Sequence, residues 1–161
     1  MLDEYLLAPI SNTSLLVGHI MGAGIKGFII SGIVFLTSQF FVKGFHLSFI
    51  FFLQLFVVCL TFACLAVATA MIAGRERDSI MFSNMIVFPM TFFCGTFFPV
   101  ERLPGILEQV SWSLPLTAAT YNLRGLALTG IGSLSWFAQS LGWLGFFYML
   151  AYYMLRKRRE D

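Results

Sequence analysis

Long apolar runs separated by short polar segments dominate the chain. A helix that rises 1.5 Å per residue needs about 20 residues to cross a hydrocarbon layer of about 30 Å. Over such lengths, helices satisfy their own backbone hydrogen bonds inside lipid. The pattern therefore predicts an all-α fold, a polytopic integral membrane bundle of four transmembrane helices at residues 15–42, 45–73, 80–98 and 134–155.

An amphipathic insert punctuated by proline separates the third and fourth runs. Pro104 suits the first turn of a helix, and Pro115 is expected to end it. A second short segment, residues 117–129, precedes Gly130, a residue type that often terminates helices. Since neither segment can span a bilayer, we predict that residues 99–133 form short re-entrant or interfacial helices. The apolar face of the first helix comprises Leu103, Ile106, Leu107, Val110 and Leu114.

Basic residues near the ends of the runs predict the topology, because short cytoplasmic loops carry an excess of lysine and arginine. If the amino terminus is cytoplasmic, six basic residues lie inside and three outside. We therefore expect both termini in the cytoplasm and residues 99–133 on the extracytoplasmic side. The inner set is Arg75, Arg77, Arg156, Lys157, Arg158 and Arg159, and the outer set is Lys43, Arg102 and Arg124.

The composition also places the chain among membrane proteins. Of its 161 residues, 58% are hydrophobic and 11% are charged, whereas about 25% of the residues in soluble domains are charged. The net charge of +2 is small, and the basic residues are scattered or flank apolar runs. We expect no nucleic-acid partner, because binding nucleic acid requires a continuous basic surface.

The sequence contains none of the usual patterns for catalysis or for binding metals and cofactors. A G-x-x-x-x-G-K-[ST] loop for nucleotide phosphates is missing. His19 and His46 have no acidic residue at a catalytic or metal-ligand spacing. Cys59, Cys64 and Cys94 lie in apolar runs without a CxxC pair, which is typical of inert buried thiols. We expect no catalytic residue, metal or cofactor in this chain.

The glycines of the first run match two different patterns. The stretch "GAGIKG" at residues 22–27 has the spacing of a dinucleotide-binding turn, but no strand precedes it and the next acidic residue is Glu76. Gly18 and Gly22 instead form a G-x-x-x-G pattern of the kind that brings transmembrane helices together, and Gly27 continues it. We predict that this stripe of glycines packs against a partner helix.

Two stretches of the chain resemble the permease subunits of the type 2 ABC exporter family. They are "LDEYLLAPISNTSLLVGHIMG", which leads into a glycine-rich span, and "FFCGTFFPVERLPGILEQVSWSLPLTAATYNLRG". In the second, Pro115 is followed nine residues later by Arg124, as in the family, whereas Ala118 stands where many members have a polar residue. Because family permeases have six spans, the resemblance implies that this chain corresponds to a permease without its first two transmembrane helices.

The resemblance implies that the chain forms the substrate path of an exporter in the bacterial inner membrane. The cargo would be a drug, a polysaccharide or a lipid-linked molecule. The expected partners are an ABC ATP-binding subunit, a second permease copy and membrane lipid. The alternative is a stand-alone four-helix membrane scaffold or an oligomeric pore without an ATPase.

In such a permease, residues 1–14 would lie at the cytoplasmic membrane surface, where the ATP-binding subunit docks. The same segment is also explained as an interfacial anchor for the first span. The loop after the second run is a further docking candidate, although a positive-inside loop explains it equally well. The docking candidates are Asp3, Glu4, Tyr5, Leu6, Arg75 and Arg77.

One lysine and a group of phenylalanines are candidates for the substrate path. Lys26 lies inside the first run, and no carboxylate lies within any of the four runs. Its ammonium either snorkels to the membrane surface or pairs structurally, or it faces the transport cavity. The phenylalanines either line an exit route or make packing and lipid contacts, and they are Phe88, Phe92, Phe93 and Phe97.

Overall fold

The computed structural model describes residues 12–41, 44, 48–73 and 76–160. Within these ranges the regular structure is helical, as the sequence predicts. The helices are α1 (Asn12–Phe41), α2 (Phe49–Ala73), α3 (Glu76–Phe93), α4 (Gly105–Ser113), α5 (Pro115–Thr129) and α6 (Leu134–Glu160), with a 3₁₀ turn at Val100–Arg102.

Helix α2 lies at the centre of the bundle and packs against α1, α3, α5 and α6. In the most apolar 18-residue stretch of α2, 44% of the residues are buried. In the corresponding stretch of α1, only 11% are buried. One apolar cluster near the C-terminal end of α2 joins Cys64 to Leu16 of α1 and Leu155 of α6. A second cluster, near its N-terminal end, joins Phe51 to Leu126 of α5. The position of every other long helix therefore depends on α2.

Helices α1 and α2 form a close antiparallel pair. Gly24 of α1 faces Leu60 of α2, and Phe35, further along α1, contacts Phe51, which lies earlier in α2. A Cβ atom added at Gly24 would lie 2.6 Å from Cδ2 of Leu60. The absence of a side chain at Gly24 therefore allows the two helices to approach each other.

Buried hydrogen bonds reinforce the packing on α2. Gln54 is fully buried, and its Nε2 donates to Oγ of Ser140 on α6 at 2.9 Å. Oγ of Ser140 donates in turn to the carbonyl oxygen of Trp136 at 3.0 Å. Toward the other end of α2, Oγ1 of Thr69 and Oγ of Ser83 on α3 lie 2.7 Å apart. Such bonds between transmembrane helices contribute about 0.6 kcal/mol each on average.

Helix α3 ends earlier than the third apolar run predicts. The run extends to residue 98, but the helix ends at Phe93 and residues 94–98 form bends. Gly95 has a φ of +82°, a left-handed conformation that interrupts the helix and that glycine adopts without strain. The predicted end of the third helix is therefore corrected to Phe93, and Phe97 lies beyond it.

The insert folds into two short helices that meet at Leu114. Leu114 is extended, with φ of −71° and ψ of 140°, and Pro115 occupies the first turn of α5. Pro115 therefore begins the second helix, which its fixed φ and missing N–H favour at this position. Gly130 ends α5 in the left-handed conformation with a φ of +69°, as the sequence predicts.

The bundle exposes large apolar surfaces. Helix α1 exposes Ile29, Ile30 and Val34, and α4 exposes Ile106 by 80%. Soluble proteins rarely expose contiguous apolar patches of more than a few hundred Å². Among the described residues, the helices Thr13–Phe41 and Phe49–Ala73 are long and apolar enough to cross a membrane. Crossing by α3 and α6, and hence a total of four spans, stays a prediction.

Gly24→Leu is expected to destabilise the protein, because the new side chain would meet Leu60 on α2. Overpacking of this kind costs about 1–3 kcal/mol, which should lower the midpoint of thermal unfolding in detergent. Gly32→Leu is the matched control on the same helix, since a Cβ atom there meets nothing within 4 Å. Equal losses in the two variants would contradict close packing of α1 on α2 at Gly24.

Candidate functional site

An open groove with a volume of about 590 Å³ runs along the N-terminal half of α1. Four of its lining residues recur at every fourth position, which places them on one face of the helix. The groove brings the lysine predicted for the substrate path together with two of the predicted packing glycines. Its lining consists of Ser14, Leu15, Gly18, His19, Gly22, Ala23 and Lys26.

The predicted glycine stripe divides between two faces of α1. A Cβ atom added at Gly18 or Gly22 meets nothing within 4 Å, whereas one added at Gly27 would lie 3.6 Å from Sγ of Cys59 on α2. In the described part of the chain, Gly27 thus contributes to helix packing. The packing of a partner helix on Gly18 and Gly22 stays a prediction.

Lys26 lies near the middle of an apolar helix that extends over Thr13–Phe41. At 1.5 Å per residue it is about 20 Å from the start of that helix. An ammonium at the centre of a bilayer costs about 2.5–3.5 kcal/mol on insertion scales, and neither α1 nor α2 contains an aspartate or glutamate. Helical side chains lean toward the N-terminus, where Gly22 leaves open space. The groove therefore lets the lysine extend toward the membrane surface without displacing another side chain.

A line of phenylalanines follows α3 and continues past its end. The ring centroids of Phe88 and Phe92 are 5.1 Å apart, and those of Phe92 and Phe97 are also 5.1 Å apart. These three rings are exposed and Phe93 is half-buried. Phe88 lines a second open groove, on α3, which shares no lining residue with the groove that contains Lys26. The structure therefore places the two groups of path candidates at separate sites.

An aromatic cluster, Trp112, Tyr121 and Trp136, joins the insert to α6. The rings of Trp112 and Trp136 stack with their centroids 5.3 Å apart, and Tyr121 lies 4.9 Å from Trp112. Nε2 of Gln139 donates to the carbonyl oxygen of Trp112 at 3.0 Å. Since these side chains belong to α4, α5 and α6, they set the position of the two short helices on the bundle.

Tyr121 also connects α5 to the 3₁₀ turn. Its hydroxyl donates to Oε1 of Glu101 at 3.0 Å and accepts from the N–H of Val100 at 3.4 Å. Burial is the main cause that raises the pKa of Tyr121, and the hydrogen bond and charge of Glu101 raise it further. The Val100 N–H and the charge of Arg124 act in the opposite direction on that pKa. The hydroxyl therefore stays protonated at neutral pH and continues to donate to Glu101.

Gly95 allows the chain to pass close to the ring of Tyr121. A Cβ atom at this position would lie 2.6 Å from Cε2 of Tyr121, so both this contact and the positive φ require glycine. Sequence reasoning missed the contacts among Gly95, Glu101 and Tyr121. The sequence feature that could have predicted these contacts is the group of tryptophan and tyrosine residues around the insert, which is typical of membrane interfaces.

The remaining predicted residues lie on several elements. Pro115 is buried in the first turn of α5, and Arg124 is exposed on the same helix. Arg77 is exposed in the first turn of α3. The docking candidates Asp3, Glu4, Tyr5, Leu6 and Arg75 lie outside the described residues.

Comparisons with known proteins give two matches. The sequence model of a family described as ABC-2 type transporter matches residues 1–128, which include α1 to α4 and nearly all of α5. Nodulation protein J of Rhizobium meliloti (strain 1021) is 33% identical over 69 residues, which cover 43% of this chain and 26% of that protein. The match thus spans well under two thirds of the relative's length. No solved structure matches the chain.

Tyr121→Phe is expected to lower the free energy of unfolding by about 0.5–1.5 kcal/mol, because the hydrogen bond to Glu101 is lost. The measurement is denaturant unfolding in mixed detergent micelles. Tyr153→Phe, on the exposed surface of α6, is the matched control and should leave the stability unchanged. A loss that is the same for both variants would contradict a specific role of the Tyr121 hydroxyl.

The difference between wild type and Tyr121→Phe should also depend on pH. Folding raises the pKa of Tyr121, so the folded state favours the neutral hydroxyl. The resulting stabilisation is complete below the pKa of an unperturbed tyrosine, about 10. This effect is lost as the pH rises through the higher folded pKa. The stability difference should therefore stay constant from about pH 7 to 9 and narrow above about pH 10. A difference that widened at high pH would contradict the direction of the shift.

Proposed function

Because this chain belongs to the ABC-2 type transporter family, we propose that it forms the substrate path of an exporter powered by a separate ATP-binding subunit. The observation that carries the proposal is the family match over residues 1–128. This range contains the helices Thr13–Phe41 and Phe49–Ala73, which are long and apolar enough to cross a membrane. The chain is thus a transmembrane permease of an ABC transporter. Outward transport, the cargo and the ATPase partnership are the proposed parts.

The proposed path uses two of the open grooves of the bundle. Lys26 supplies a positive charge in the groove on α1, and Phe88 supplies aromatic surface in the groove on α3. Phe92 and Phe97 extend that aromatic surface past the end of α3, with Phe93 beside them. Since both grooves open to the exterior of a single chain, a second permease copy is proposed to complete the enclosure.

ATP hydrolysis is assigned to a partner, because this sequence has no phosphate-binding loop of the G-x-x-x-x-G-K-[ST] type. The proposed docking surface consists of Asp3, Glu4, Tyr5 and Leu6 together with the loop before α3. Arg77 is exposed at the first turn of α3 and is therefore accessible to a partner. Helices α1 and α3 would transmit the movement of the ATPase to the grooves that they carry.

The proposed location is the bacterial inner membrane, with both termini in the cytoplasm and α4 and α5 on the outer side. The exposed apolar residues of α4, among them Ile106 at 80% and Val110 at 54%, support a position of this helix on the surface of the lipid. The aromatic cluster supports the same placement, since tryptophan and tyrosine favour the membrane interface.

An ATP-binding-cassette ATPase is expected to co-purify with the intact tagged chain in mild detergent. Deleting residues 1–11 should abolish this association while leaving the amount of chain in the membrane within about twofold. Gln109→Ala, an exposed position on α4, is the control and should retain the ATPase. If the intact chain retained no ATPase, the alternative of a stand-alone scaffold or oligomeric pore would be favoured.

Cysteine labelling tests the proposed orientation. In a variant whose Cys59, Cys64 and Cys94 are replaced by alanine, Glu108→Cys on α4 should react with a membrane-impermeant maleimide in intact cells. Lys157→Cys, near the end of α6, should react only after the cells are permeabilised. The reverse pattern would show that the insert faces the cytoplasm and would contradict the proposed topology.

A further inference from the structure

We propose that a groove at the N-terminal end of α2 binds an ester-linked acyl chain of a membrane lipid, whose ester carbonyl accepts a hydrogen bond from Nδ2 of Asn122. The groove has a volume of about 260 Å³ and lies between the N-terminal ends of α2 and α6 and the middle of α5. It shares no lining residue with the grooves of the proposed substrate path, so the inference does not depend on transport. Its lining includes Ile50, Leu53, Asn122, Ser133, Leu134 and Phe137.

Asn122 brings a polar group with an available donor to this groove. The residue is only 3% exposed, and its Oδ1 accepts from the N–H of Ser133 at 3.0 Å. Because a backbone N–H only donates, this bond fixes which end of the side-chain amide faces Ser133. Nδ2 is the remaining polar atom, and within the described part of the chain it has no hydrogen-bond partner. A ligand that lies in the groove and carries an acceptor would satisfy it, which matters because an unpaired buried donor is costly.

The rest of the lining selects a neutral, mainly apolar ligand. Ile50 and Leu53 of α2 face Leu134 and Phe137 of α6 across the groove, and none of the lining residues is charged. An apolar wall with one amide donor suits an apolar chain that carries a single neutral acceptor. The ester carbonyl of an acyl chain has this combination.

The depth of the groove matches the position of lipid esters. Helix α2 has 25 residues and is therefore about 38 Å long, whereas the hydrocarbon layer is about 30 Å thick. If α2 is centred in the layer, Ile50 lies in the interface and Leu53 lies at the edge of the hydrocarbon. The ester groups of a glycerolipid occupy the same boundary, between the polar head groups and the acyl chains.

The size of the groove favours part of a long molecule. Sites for whole drug-sized ligands have volumes of about 300–1,000 Å³, and this groove is smaller. Exposed apolar surface continues from it, since Ile50 is 53% exposed and Leu134 is 82% exposed. Leu141, two turns further along α6, is exposed as well. The groove therefore has room for the start of an acyl chain, and the rest of the chain can lie along α6 toward the centre of the membrane.

Other occupants fit these observations less well. A phosphate or carboxylate would lose its hydration without meeting a cation, because no charged residue lines the groove. A helix of a second copy would offer Nδ2 few acceptors, since the backbone carbonyls of a transmembrane helix are already bonded. Water would satisfy Nδ2 but would leave the apolar lining wet, and the experiment below distinguishes water from an ester.

The test compares ester and ether lipids around the intact chain. The protein is placed in nanodiscs of a diester phosphatidylcholine or of its dialkyl ether analogue, which has the same head group and chain length but no carbonyl. Each nanodisc contains a trace of diester phosphatidylcholine with a diazirine next to the ester, and labelled peptides are mapped by mass spectrometry. Labelling at residues 50–53 and 134–137 should be about three to ten times stronger in the ether nanodiscs, a ratio that corresponds to one neutral hydrogen bond. Labelling at Ile29 and Ile30, on the exposed surface of α1, should be equal in both.

Two substitutions separate the amide from the apolar lining. Asn122→Asp keeps the acceptor for Ser133, but an ionised carboxylate donates nothing, so the difference between the two lipids should disappear at pH 8. Gln109→Glu, at an exposed position on α4, is its control. Leu53→Trp should fill the groove and reduce labelling at residues 134–137 at least fivefold in ether nanodiscs. Ile72→Trp, at an exposed position near the other end of α2, should not.

Three results would overturn the inference. The first is equal labelling of the groove in ester and ether nanodiscs, a comparison on the unchanged chain that needs no variant to fold. The second is a difference between the lipids that persists in Asn122→Asp. The third is labelling that Leu53→Trp leaves unchanged. Each of these results leaves the proposed function intact, because co-purification of the ATPase tests that function separately.

Discussion

Close packing on α2 is the constraint on which the rest of this structure depends. A transmembrane helix gains little from burying apolar side chains, because lipid is as apolar as the protein interior, so association relies on close contact and on hydrogen bonds between helices. Helix α2 provides both. It meets α1 at Gly24, bonds to α6 through Gln54 and Ser140 and to α3 through Thr69 and Ser83. These contacts decide which faces of α1 and α3 remain open.

The open faces carry the residues that we propose for the substrate path. On α1, the face that does not meet α2 holds Lys26 together with Gly18 and Gly22. On α3, the open groove contains Asp78, Asn84 and Phe88. Polar and charged groups at membrane depth are costly unless they meet a partner, water or a ligand. Their position on unpacked faces, in a member of a transporter family, is the observation on which the proposed substrate path rests.

The insert is attached to the bundle by local contacts of a different kind. Tyr121 bonds to Glu101, and its ring lies at a tilt against Trp112 and Trp136 in the aromatic cluster. These contacts hold α4, α5 and the 3₁₀ turn at one end of α6. The left-handed Gly95 gives the chain room to pass the ring of Tyr121. The apolar side of α4 stays exposed as a result, in the position that contact with a lipid surface requires.

The sequence by itself determined the helical class and the lengths of α1 and α2 to within a few residues. It also determined the two short helices of the insert and the end of α5 at Gly130. These features follow from local periodicity and from the backbone preferences of single residues. The sequence also predicted that Gly18, Gly22 and Gly27 form one stripe, which the structure divides between two faces of α1. Only the tertiary structure decided that α2 packs on the neighbouring face, at Gly24 and Gly27, and leaves the lysine exposed. It likewise decided that Tyr121 reaches Glu101, twenty residues away. Contacts of this kind depend on how distant helices fit together, and the spacing of residues along one helix carries no information about its neighbour.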